Sequence, residues 1–152
     1  MAMAASINLT YSPEEKAILF FRHVKKELGI PSTEQIVKLV SKVVSHLRSG
    51  LTNAQITRLV DHLPGVFQFM LFHEWIPNEK KKSFTHLDEF VESIYAEDRK
   101  SSSSVFATEV ETLRAVIVVL RKLDKYLNLF SFDILKHPMM EELKQIPIED
   151  AA

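Results

Sequence analysis

Apolar residues recur three and four positions apart along most of this chain. Ala17, Phe20, Phe21, Val24 and Leu28 form one stripe; Ile36, Leu39, Val40, Val43, Val44 and Leu47 form a second; Ile56, Leu59, Val60 and Leu63 form a third. Side chains with that spacing share one face of an α-helix, so each stripe predicts an amphipathic helix. The starts are marked as well. Ser12-Pro13-Glu14-Glu15 offers a serine N-cap, a proline at the first helical position and a glutamate that can reach back to the cap. Ser32 with Gln35 and Thr52 with Gln55 have the same capping-box spacing. Gly29, followed by Pro31, and Gly50 are the expected stops. Pro64 is expected to open a further helix over residues 64–75, carrying Val66, Phe67, Met70 and Leu71. A sharp corner follows at Leu63-Pro64, because proline disfavours the α conformation in the residue before it.

The second half reads less cleanly. Thr85 with Asp88 is expected to open a helix with the stripe Leu87, Phe90, Val91 and Ile94. Residues 97–104 hold four charges and four consecutive serines and read as a mobile loop. A long helix is expected over 105–123, with Val105, Phe106, Val110, Leu113, Val116, Ile117 and Leu120 facing inward. Residues 126–132 are crowded with apolar groups and poorly periodic; a short helix to His137, a Pro138-led helix to Ile146 and a frayed tail complete the chain. No stretch alternates as a strand between hairpin turns. The fold class is therefore all-α, with about eight helices.

The two halves echo each other. F-F-R-H-V at 20–24, V-x-x-V-V-x-x-L-R at 40–48 and L-V-D-H-L-P at 59–64 return as F-V-E-S-I at 90–94, L-x-x-V-I-x-x-L-R at 113–121 and I-L-K-H-P at 134–138. Such an echo predicts two pseudo-repeated helical units. They are expected to form one domain over 12–146: a first unit at 12–76, a linker at 77–84 and a second unit at 85–146. The second copy is unequal, with an apolar segment around Phe130 replacing the caps and the Leu-Pro corner.

Composition narrows the chemistry. The chain has 152 residues and a net charge of −1, from 19 basic and 20 acidic side chains. That balance argues against a general phosphate-backbone binder, which carries a basic excess. The absence of cysteine excludes disulfides, thiolate metal sites and cysteine nucleophiles, and it fits a reducing cytoplasm. Residues 1–10 have no charged start or long apolar core, so no secretory signal is expected. No apolar run approaches the ~20 residues of a membrane helix, and phosphate-cradling glycine loops are absent. A cytoplasmic protein without membrane association is expected.

Spacing separates the candidate side chains. The six histidines, His23, His46, His62, His73, His86 and His137, show no E-x-x-H or H-x-x-x-H pattern, so no metal site is expected. His62 and His137 stand in matching places before the two prolines, where an imidazole can satisfy open helix-end carbonyls or line a pocket between the halves. The acidic pairs Glu14-Glu15 and Glu141-Glu142 suit helix starts. No G-x-S-x-G elbow is present, and no catalytic residue or cofactor is expected. Lys80-Lys81-Lys82 reads as a solvated linker, with weak nucleic-acid contact as its alternative. The apolar surplus is the most suggestive feature: Phe72 and Trp75 in one segment, and Tyr126, Phe130 and Phe132 in another, exceed what one helix stripe hides. These five residues are the expected interaction surface, for a homodimer or a protein partner. A small-ligand sensor or enzyme with an inter-half pocket at His62 or His137 is the alternative.

The ordered motifs carry a resemblance. F-x-x-V-x-x-E-L-G at 21–29, V-x-x-L-R at 44–48, L-T-x-x-Q at 51–55, L-x-x-x-L-P at 59–64, Trp75 and D-E-F-V at 88–91 resemble the bacterial domain-of-unknown-function family 2267 over residues 20–146. The resemblance implies a small cytoplasmic all-helical protein of two similar halves, and it brings no catalytic or ligand residues. The second half departs from it: Leu127 to Ser131 and His137-Pro138 stand where L-[ST]-x-x-[EQ] and L-P belong.

Overall fold

Each strong capping signal becomes a helix start in the computed structural model, which describes residues 11–73 and 81–146. Among these residues the order is α1 (Pro13–Leu28), α2 (Thr33–Arg48), α3 (Asn53–Val60), α4 (Gly65–Phe72), α5 (Leu87–Lys100), α6 (Glu109–Leu127), a 3-10 turn (Leu129–Phe132) and α7 (His137–Gln145). No strand occurs among them. At α1 the Ser12 hydroxyl accepts from the Glu15 amide at 3.2 Å, and the Glu15 carboxylate accepts from the Ser12 amide at 2.9 Å. Thr52 and Gln55 make the same reciprocal pair at α3. Ser32 caps α2 from one side only, through the Gln35 amide. α1 ends at Gly29, whose φ of 67° is left-handed backbone that glycine adopts without a Cβ clash.

Several boundaries differ from the periodic reading. Pro64 is the N-cap of α4 rather than its first residue, and α4 ends at Phe72. α5 starts at Leu87, two residues after Thr85, and Glu89 accepts from the Thr85 and His86 amides at 2.8 and 3.0 Å. It then runs through the expected loop to Lys100. α6 starts at Glu109, because the Thr108 hydroxyl caps it through the Glu111 amide, and it stops at Asn128 in left-handed conformation. That shift leaves Val110 and Leu113 on the surface and turns Thr112, Ala115 and Val119 inward. Gly50 is not a left-handed stop: a Cβ there would lie 2.8 Å from the Lys82 carbonyl. The glycine is needed because the returning linker passes directly over it, with the Lys82 amide donating to the Ser49 carbonyl at 2.9 Å.

One hydrophobic core runs through all the described helices. Its centre includes Phe20, Val40, Val43, Phe90, Val116 and Val119, each fully buried. A buried side chain of this size contributes roughly 1.5–3 kcal/mol by leaving water. The most extensive helix pairing is α1 on α6, followed by α2 on α4 and α5 on α6. The echo in sequence has a counterpart in the bonding. Arg48, at the end of α2, donates from Nη1 to the Leu71 and His73 carbonyls at 3.0 and 2.9 Å. Arg121, its partner in the echo, donates to the Leu143 carbonyl from Nε at 2.9 Å and from Nη2 at 2.6 Å, and also to Ile146. Each guanidinium thus satisfies carbonyls left open at a helix C-terminus, where positive charge is also favoured by the dipole.

Candidate functional site

Between the first half and the second lies an open groove of about 810 Å³. α2 and α4 form one side, and α5 with the serine segment after it forms the other. Along α2 and its C-cap, Lys38, Ser41, Lys42, Ser45 and Ser49 stand at offsets of 0, 3, 4, 7 and 11 residues, so they make one polar stripe along the groove. α4 contributes Val66, Phe69, Met70 and His73. Phe69 is 72% exposed, the most exposed aromatic ring described, with Val66, Phe72 and Val37 also open to solvent.

The second-half wall is built on Asp98. Its carboxylate is buried and takes Lys42 Nζ at 2.5 Å, the Ser104 hydroxyl at 2.8 Å, the Val105 amide at 3.0 Å and the Phe106 amide at 3.0 Å. Burial pushes the carboxyl pKa up, but Lys42 and the loop donors outweigh it and hold the group below its usual range. Residues 101–106 are therefore tied down by one buried anion, not left as the mobile loop their composition suggests. Asp98 continues the buried series Leu87, Phe90, Val91 and Ile94 at four residues' spacing. A lone acid on an apolar stripe was the available signal for it. Nearby, Lys82 Nζ meets Glu97 at 3.1 Å, and this ion pair keeps the glutamate ionised to lower pH.

His46 lies at the base of the groove, 8% exposed, against the rings of Phe84 and Phe90. Its Nε2 is 2.9 Å from the Ser93 hydroxyl. Burial, helped by the charge of Lys82, lowers its pKa to about 4, so the ring is neutral at neutral pH. His23, also lowered by burial and then by Lys122 and other cations, is bonded to the Tyr126 hydroxyl.

The residues expected to form a surface separate. Phe72 is exposed on α4. Trp75 lies outside the described residues, as does Lys80. Tyr126 is a correction: it is 2% exposed, because the last turns of α6 pack its ring against α1 and its hydroxyl is taken by His23. Phe130 and Phe132 are half-buried against the core. Of the pocket candidates, His62 is exposed, with Nδ1 3.1 Å from the Arg58 carbonyl and its ring 4.9 Å from that of Phe132. His137 is exposed at the start of α7. Neither lines the groove. Among the described residues no three His, Asp or Glu side chains converge as a metal ion requires.

The fold and groove define a class: an all-helical protein with a polar, cation-lined trough between its halves and no helix, among the described residues, long and apolar enough to cross a membrane. More particularly, the chain belongs to the family of uncharacterized conserved proteins DUF2267, whose model matches residues 19–145. No curated protein matches it.

Proposed function

We propose that this protein is a non-enzymatic interaction module that docks a segment of a second protein in the groove between its halves. The observation that carries the reading is the exposed strip of Val66, Phe69 and Phe72 on α4, beside Val37 of α2. Large apolar side chains left together on a surface lose free energy to water unless something covers them, roughly 25 cal/mol for each Å². An open trough flanked by such a strip suits a helix or extended segment laid along it. The polar groups support this reading over catalysis: Asp98, Lys42, His46 and Arg48 are all engaged in holding helices and loops together. The module is expected in the cytoplasm.

Photo-crosslinking in the native host tests this directly. Benzoylphenylalanine placed at Phe69 should yield a discrete adduct, while the same group at Val110, equally apolar and 76% exposed, should not. Equal labelling at both positions, or none at Phe69, would refute the docking surface.

A further inference from the structure

We infer that the segment docked in this groove is acidic: an amphipathic peptide whose apolar residues cover Phe69 and Val66 and whose carboxylates meet Lys38 and Lys100. The inference rests on the docking reading above and names the chemistry of the partner. The chain as a whole is slightly acidic, at −1. Its groove is the reverse, with five cationic side chains (Lys38, Lys42, Arg48, Lys82 and Lys100) against the two carboxylates of Glu97 and Asp98.

Both carboxylates are already committed. Asp98 is buried against Lys42 and the loop amides, and Glu97 is paired with Lys82. Lys38 and Lys100 are exposed and make no ion pair among the described residues. They stand on opposite walls, one on α2 and the other at the end of α5. The hydroxyls of Ser41, Ser101 and Ser103 line the same groove and can donate to a carboxylate between them. Charge of one sign along a trough focuses the field and draws in the opposite sign.

A protein segment suits the site better than nucleic acid does. Lys42 and Lys82 are already neutralised, so few cations remain for the many phosphate contacts that hold a nucleic-acid strand. The apolar strip on α4 matches side chains spaced three and four residues apart, as an amphipathic helix presents them.

The experiment is selection of a displayed library of random peptides, about 12 residues long, against the full chain, with Phe69→Ser and the double variant Lys38→Glu/Lys100→Glu as parallel targets. All three altered side chains are exposed, and circular dichroism is the control that each variant is still helical. We expect clones rich in Asp and Glu with leucine or phenylalanine three or four apart. Synthesised, they should bind at least about tenfold more weakly to the double variant, and about fivefold more weakly when their glutamates become glutamines. Clones that depend on Phe69 but are neutral or basic, and indifferent to the lysine changes, would overturn the acidic partner and leave the docking reading standing. No clone dependent on Phe69 would overturn both. A single-stranded oligonucleotide that competes with the selected peptides and binds more tightly than they do would also overturn the inference, in favour of nucleic acid.

Discussion

His46 turns a buried ring into a measurable pH dependence. Folded, it titrates at about 4; exposed in the unfolded chain, it returns to its ordinary 6.5. Below pH 6.5 the unfolded chain therefore takes up a proton that the folded one refuses, so stability falls as pH drops from about 6.5 towards 4 and is unaffected above it. At pH 4.5 the unfolded ring is almost fully protonated and the folded one is mostly neutral. The difference between those populations costs the folded state about 2–3 kcal/mol relative to pH 7.5. Other groups titrate in the same window. His86 behaves oppositely, because its hydrogen bond to Glu142 raises its pKa. The assay must therefore be differential. Urea unfolding of the wild type and of His46→Gln, from pH 7.5 to 4.5, should give curves that converge by about 2–3 kcal/mol as the pH falls, whatever constant offset the lost ring packing adds. Two profiles parallel to within about 0.5 kcal/mol would show that the ring accepts a proton in the folded state, and would refute its burial.

Three further outcomes follow from the same contacts. Asp98→Ala should cost about 3 kcal/mol in urea unfolding, because it strands the buried Phe106 amide and removes the Lys42 partner. It should also speed tryptic cleavage at Arg99 and Lys100; unchanged cleavage would show that the serine segment does not depend on that carboxylate. Arg48→Met and Arg121→Met should each destabilise by about 1–3 kcal/mol by leaving helix-end carbonyls without donors, and a loss under about 0.5 kcal/mol at either would rule out that capping role. Gly50→Ala should cost about 1–3 kcal/mol, since its methyl meets the Lys82 carbonyl; a neutral result in thermal melts would show that the linker gives way without strain.

What the chain revealed on its own was local. Caps such as Ser12-x-x-Glu15 and Thr52-x-x-Gln55 act within one turn, so their sequence spacing and their geometry are the same thing. α6 misled because Val105 and Phe106 extend a helical spacing upstream of the true cap. Two periodic signals competed, and the Thr108 hydrogen bond decided. The apolar surplus does not say from spacing alone which of its side chains stay exposed. Tyr126 turned inward, while Phe69, unremarkable in sequence, points out. α4 is apolar on every side, and which side meets solvent depends on where α2 lies. The groove is further still from any local pattern, since residues from α2, α4 and α5 meet there only after folding. Even so, the polar spacing of Ser41, Ser45 and Ser49 was visible in the chain.

The pairing of α1 with α6 gives the sequence echo a different meaning for assembly. The first described helix, α1, makes its most extensive pairing with α6, the longest described helix, and Arg114 of α6 donates to the Glu27 carbonyl of α1 at 2.7 Å. The sequence echo thus does not mark off two separately packed halves, since α1 lies against α6. Separating the chain between the halves would strip α1 of its α6 partner, and the covalent link holds the two at high effective concentration.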